Sequence, residues 1–239
     1  MLRALRGQRV VVVGGTSGMG RGAARAAAEA GAEVVVAGRR SAGPDEPGVT
    51  YAVVDATNEG AVRDLFQSVG ELNHLLVTAT PPAQTGQFLE QDIATARSFL
   101  DGKLFGSWAC ARHAAPRMRP GGSITFLTGC AAIRPRAGLS MVTTTFAALE
   151  ALSQALALEL GPLRVNSIRP GVVDSEMWSF LDDRAREQLR DKVRAAFPAR
   201  RIGSVEDIGH AAVFLMTNPY VTGTVLEVSG GEPLVALDL

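Results

Sequence analysis

Val10-Val11-Val12-Val13-Gly14-Gly15-Thr16-Ser17-Gly18-Met19-Gly20, followed by the alanine-rich Arg21–Ala30, decides how the chain reads. Four successive valines have no polar face, as expected of a strand buried on both sides of a parallel sheet. The glycines let the backbone turn sharply and let a pyrophosphate approach main-chain N–H groups. The positive end of the following helix then faces those phosphates. Gly14, Thr16, Ser17, Gly18, Met19 and Gly20 are therefore candidate cofactor-binding residues. An ordinary tight turn is the alternative reading of the same glycines.

Outward from that loop, short apolar runs alternate with helical patterns. Strands are expected at Arg9–Val13, Glu33–Ala37, Thr50–Val54, His74–Thr78, Ser123–Leu127, Arg164–Ile168 and Val225–Val228. Helices are expected at Gly20–Ala30, Glu59–Ser68, Thr95–Met118, Leu139–Leu160, Arg184–Ala196 and Val205–Met216, with Pro116 ending or distorting the third. The alternation predicts an α/β fold, a doubly wound Rossmann-type parallel sheet of about seven strands with helices on both faces. No repeat or linker divides the chain, and the loop Ser41–Gly48 is short, so a single domain over 1–239 is expected.

Composition narrows the function. The 239 residues are 46% hydrophobic, enough to bury a core and to exclude disorder. Lys+Arg and Asp+Glu are both 24, and a nucleic-acid partner would want a basic excess. Cys110 and Cys130 make no disulfide framework and read as reduced thiols, and Cys130 has no histidine partner in sequence. His74, His113 and His210 have no metal-ligand spacing, so no metal is expected. The N-terminus lacks a hydrophobic signal core, and no segment reads as a membrane span. A soluble, cytoplasmic protein follows as the expectation.

Strand two ends Ala37-Gly38-Arg39-Arg40, where an NAD site usually places an acid for the ribose 2′-hydroxyl. Guanidinium groups suit a 2′-phosphate instead, so Arg39 and Arg40 favour NADP(H) over NAD(H). A solvated basic turn is the alternative. Asp55, closing strand three, is placed to accept a hydrogen bond from the adenine amino group, or else caps a helix.

These residues, with Arg164-Val165-Asn166-Ser167-Ile168-Arg169-Pro170-Gly171 and the closing Val221-Thr222-Gly223 and Val228-Ser229-Gly230-Gly231, resemble the short-chain dehydrogenase/reductase family from strand one to the C-terminus. Val13 stands where that family's glycine motif usually opens with Thr. The resemblance implies that Pro170, Gly171, Val173 and Ser175 lie at the cofactor, the last two at the nicotinamide carboxamide. It also implies a homodimer or homotetramer, with Thr95–Met118 and Leu139–Leu160 as the usual dimer face. The family's Asn-Asn-Ala-Gly after strand four is here Thr78-Ala79-Thr80-Pro81.

The family's catalytic pattern is absent. Its members use a Tyr whose pKa, ordinarily about 10, is lowered by a Lys one turn later, together with a Ser and an Asn. By resemblance Val142 stands at the Tyr, Phe146 at the Lys, Gly129 at the Ser and Lys103 at the Asn. Lys103 is the candidate replacement catalytic group, as proton donor or as occupant of the vacated space; a solvated lysine is the alternative. Thr128 and Thr143–Thr145 are candidates to orient a substrate oxygen, unless their hydroxyls bond back to the main chain. Met177, Trp178, Phe180, Leu181 and Phe197, in the segment Val172–Pro198 that caps the cleft in relatives, suit an apolar small-molecule ligand. Three readings remain open: a divergent NADP(H)-dependent oxidoreductase acting on a carbonyl or conjugated substrate, a catalytically inactive NADP(H)-binding sensor or partner subunit, and a non-redox isomerase, dehydratase or cyclase.

Overall fold

The computed structural model describes residues 4–40, 46–82, 85–176 and 182–235. Seven strands form one parallel sheet: β1 (Arg9–Val13), β2 (Glu33–Gly38), β3 (Val49–Val53), β4 (Leu72–Val77), β5 (Met118–Leu127), β6 (Arg164–Pro170) and β7 (Val225–Val228), in the order β3-β2-β1-β4-β5-β6-β7. The order reverses direction beside β1, and an open parallel sheet binds ligands at such a switch, beyond the carboxyl ends of its strands. The valine run of β1 explains its place inside the sheet: Val10 and Val12 enter one core, Val11 and Val13 the other.

Helices α1 (Gly18–Glu29) and α7 (Val205–Thr217) cover one face, and their buried residues share a core with β1 and β2. The pair packs closely, because a Cβ on Gly22 would come within 2.6 Å of the Val205 carbonyl oxygen. On the other face lie α2 (Glu59–Val69), α4 (Gly106–Ala114) and α5 (Ser140–Glu159). α6 (Asp183–Ala196) contributes Val193 to a small separate cluster with Val172 and Phe197. Asn58 caps α2 by accepting from the Ala61 N–H, so Asp55 is not the cap.

The helix expected over Thr95–Met118 is corrected. α3 (Ile93–Leu100) runs into a π turn over Asp101–Phe105, α4 follows, and a 3₁₀ turn over Ala115–Arg117 carries Pro116 into β5, which begins at Met118. Proline lacks the N–H that would continue the ladder. At the π turn, Gly102 lies so close to Pro81 that a Cβ would approach its Cγ to 2.9 Å. A second correction concerns α5. Its 20 residues are long and apolar enough to cross a membrane by length and composition. In the fold it buries Thr145, Leu149, Glu150 and Ser153.

Candidate functional site

At the carboxyl end of β1 the chain turns where only glycine fits. Gly14 has φ +92°, and a Cβ there would lie 2.7 Å from the Ala79 Cα and the Thr78 hydroxyl. Thr78 and Ala79 both donate main-chain N–H groups to the Val13 carbonyl, at 2.8 and 3.1 Å, which seats the loop after β4 on the glycine loop. Gly18, at φ +53°, has Ser175 alone among the described residues near its missing Cβ, at 3.7 Å. Ser17 precedes α1 without making a side-chain cap, so the first N–H groups of α1 have no side-chain acceptor from it. The loop is therefore a cradle with backbone donors at a helix start, which fits a pyrophosphate. Met19 packs its side chain on the core and offers the loop only its backbone.

Around this loop the structure gathers the other sequence candidates. The Thr16 methyl sits against Gly38, where a Cβ would approach it to 3.1 Å, which places Thr16 at the end of β2. Arg39 and Arg40 follow, both exposed. Asp55 is exposed at the end of β3, and its carboxylate accepts from the Thr57 N–H at 3.0 Å and the Thr57 hydroxyl at 2.8 Å. These two hydrogen bonds, with a smaller contribution from the Arg39 charge, hold its pKa below the ordinary carboxylate value. Beyond β6, Pro170 leads into Gly171, whose N–H donates to the Val228 carbonyl at 3.1 Å. Val173 forms a bridge with Gly203.

The second cluster surrounds Lys103. The π turn directs this side chain inward, where it is 0% exposed. Its Nζ donates to the Ala79 carbonyl at 3.2 Å and lies 5.8 Å from the centre of the Phe146 ring. Burial pushes its pKa down to about 7. The alternative of a solvated surface lysine is thereby excluded. Phe146 also rests on Gly129, where a Cβ would come within 2.8 Å of the ring. The departures at 103, 129 and 146 are thus one packing arrangement. Nothing larger than glycine fits at 129 while the ring stands where it does.

Thr128 is placed differently from the sequence expectation. Its hydroxyl donates to Glu150 at 2.9 Å, so it is committed to a buried network rather than presented to a substrate oxygen. Arg169 grips the same carboxylate through Nε at 2.9 Å and Nη2 at 2.6 Å. Thr144 donates back to the Ser140 carbonyl at 2.9 Å, whereas the Thr143 and Thr145 hydroxyls are buried with no hydrogen-bond partner among the described residues. Cys130 is buried, and its thiol is pushed up to about 12, chiefly by burial and further by Glu232 and Glu227, which makes it a poor nucleophile. His74 is tied into the sheet by Ser123 at 2.8 Å and Gln8 at 2.6 Å, its pKa lowered to about 4 by burial and the Arg164 charge. Met177, Trp178, Phe180 and Leu181 lie outside the described residues, and Phe197 is a core residue.

Sequence reasoning missed the acceptor at Ala79, the Glu150–Arg169 pair, and Glu232 with its partner Arg136. Only the two arginines at 134 and 136, close together in the loop after β5, hinted at the last.

Residues 13–232 match a family model described as enoyl-(acyl carrier protein) reductase. The chain is 29% identical to the short-chain dehydrogenase/reductase ATR9 of Stachybotrys chlorohalonatus, covering 95% of this chain and 97% of that one. It is 31% identical to a 3-oxoacyl-[acyl-carrier-protein] reductase of Bos taurus, covering 93% and 97%. Among solved structures, a small-chain dehydrogenase in complex with NADPH is 30% identical with a TM-score of 0.83, covering 95% and 99%. The MalC reductase/Diels-Alderase of Malbranchea aurantiaca is 28% identical with a TM-score of 0.88, covering 97% and 98%.

Proposed function

The chain belongs to the short-chain dehydrogenase/reductase family, and on that premise we propose that it is a divergent NADP(H)-dependent oxidoreductase acting on a carbonyl or conjugated small molecule. The observation that carries the reading is the glycine cradle at Gly14–Gly20, with two exposed cations, Arg39 and Arg40, at the adjoining end of β2. When bound, NADPH would supply the hydride. The first N–H groups of α1 would hold the pyrophosphate, Arg39 and Arg40 the 2′-phosphate, and Asp55 the adenine edge. Pro170, Gly171, Val173 and Ser175 would line the nicotinamide end, across from Gly18.

Proton supply is where this chain departs from its relatives. Lys103 is the residue we assign to it: its amine titrates near neutrality and stands beside the ring at the family's lysine position. Losing a positioned general acid costs about 10²–10⁴-fold in rate rather than all of it. Exposed apolar residues support a homo-oligomer. Phe105 and Trp108, 53% and 48% exposed, line a groove of about 830 Å³ beside the turn after β3, and Leu158 on α5 is 87% exposed.

Titration with NADPH, NADP⁺, NADH and NAD⁺, followed by nicotinamide fluorescence and calorimetry, tests the cofactor. Selective NADP(H) binding that weakens in Arg39→Ala supports the reading, and no binding of any dinucleotide refutes it. A screen of carbonyls and enones with Lys103→Met then tests proton supply. Lost turnover with retained NADPH binding assigns the proton to Lys103; unchanged turnover makes Lys103 a strut under Ala79. The apolar contact of Phe146 with Gly129 favours a second reading, an NADP(H)-binding protein without turnover, which predicts cofactor binding and no oxidation of NADPH with any substrate. Product formed without net NADPH oxidation would identify a non-redox enzyme instead.

A further inference from the structure

The loops after β5, β6 and β7 converge on one buried carboxylate. Glu232 is 4% exposed and follows Gly231, whose φ of +85° turns the chain inward. Arg136, from the loop after β5, pairs with Glu232 Oε1, and Arg134 donates to the Glu232 main-chain carbonyl at 2.6 Å. From the loop after β6, the Val172 N–H donates to the Glu232 side chain. Gly171 lies so near that a Cβ would stand 2.8 Å from Glu232 Oε2. Gly231 in turn abuts Pro198, just beyond α6, where a Cβ would approach the ring Cγ to 2.6 Å. A charge this deeply buried is held only where ion pairs and hydrogen bonds replace its lost water.

We propose that Glu232 is a positioning residue for the nicotinamide end of the cofactor cleft: it fixes the Gly171–Ser175 segment from behind and locks it to the 130–139 loop through Arg136. The proposal rests on the cofactor reading above. It makes a distinction that general destabilisation does not. Glu232 touches the β6 and β5 loops and none of the residues assigned to the adenosine end, so its removal acts on one half of the dinucleotide.

The experiment compares the calorimetric affinity of two probes, NADPH and adenosine 2′,5′-bisphosphate, which carries the 2′-phosphate but no nicotinamide. The proteins are wild type, Glu232→Gln and Arg136→Gln; the last breaks the same pair from its more exposed side and keeps the test open if the first folds poorly. Loss of one charge-assisted hydrogen bond is expected to weaken NADPH about tenfold in both variants, with the bisphosphate within about twofold of wild type. Equal weakening of both probes, or no change in either, overturns the proposal. A wild type that binds neither probe overturns the cofactor reading itself, and the proposal with it.

Discussion

Replacing Lys103 with methionine keeps the length of the stem, removes the amine, and turns a buried charge into a measurable slope. In the fold, burial holds the Nζ pKa at about 7. An unfolded chain returns it to about 10.4. Between those values the unfolded chain binds a proton at this side chain that the folded chain does not, so stability rises with pH. The rise begins near pH 7, where the folded amine loses its proton, and ends near 10.4. Below pH 7 both states are protonated and the cost of burying the charge is fully present. Integrated from pH 7.0 to 8.5, the gain is about 1.6 kcal/mol. The methionine variant lacks that gain, and its Ala79 carbonyl loses a donor, an offset of about 1–3 kcal/mol that does not vary with pH. Urea unfolding of both proteins at half-unit steps from pH 6.5 to 8.5 reads the difference. The thiols of Cys110 and Cys130, whose pKa values burial raises to about 12 in the fold, act with the opposite sign toward the top of this range, but equally in both proteins, so they cancel in the difference. Parallel stability curves for the two proteins would refute the reasoning, since they would mean that Lys103 titrates alike in both states.

Three further outcomes are expected. Gly129→Ser alone should destabilise by about 1–3 kcal/mol through its clash with Phe146, and Phe146→Ala should relieve most of that; the coupling, measured in a double-mutant cycle by chemical unfolding, should exceed about 0.5 kcal/mol. Gly14→Ala, at φ +92° and against Ala79, should lower stability by about 1–3 kcal/mol and reduce NADPH affinity in calorimetry, whereas Gly70→Ala, with open space at its missing Cβ, should leave affinity unchanged. His74, neutral in the fold down to about pH 4 but protonated below about 6.5 when unfolded, should make stability fall by up to about 1.4 kcal/mol per pH unit as pH drops through that window. The His74→Gln variant should lose that contribution and show a correspondingly smaller difference between thermal melts at pH 5.0 and 6.5 than wild type.

The sheet was legible because short β-branched and apolar runs recur between helical patterns, unbroken in β1 and β2 and interrupted by polar residues in the others. β1 and β7 begin and end where the valine-rich runs do. The helix after β4 was not, because its π turn answers to Pro81, whose contact with Gly102 is invisible to helical periodicity. That one extra residue in the turn also decides which way Lys103 faces. A pattern of residue types could suggest a solvated or an inward lysine and had no means of choosing. Gly129 and Phe146 were each readable as departures from a family pattern, but their contact is not a property of either position. Thr128 failed as a candidate for a similar reason: its partner Glu150 lies on α5, twenty-two residues on, in a network that only the packed sheet assembles.

The close approach of α1 and α7 also bears on how the chain is made. Gly22 and Gly209 touch where a side chain on either would collide with the other helix, and Arg25 and Glu206 pair beside them. These partners are 187 positions apart (209 − 22), so at about 5–20 residues per second a ribosome completes α7 roughly ten to forty seconds after α1. Until then Ala23, Ala24 and Ala27 have no α7 to cover them, and loop closure over most of the chain must precede that packing. The helix behind the glycine loop therefore gains its native cover only when the last helix arrives. Nascent chains halted before residue 205 should be cut within α1 by a protease that spares the finished protein.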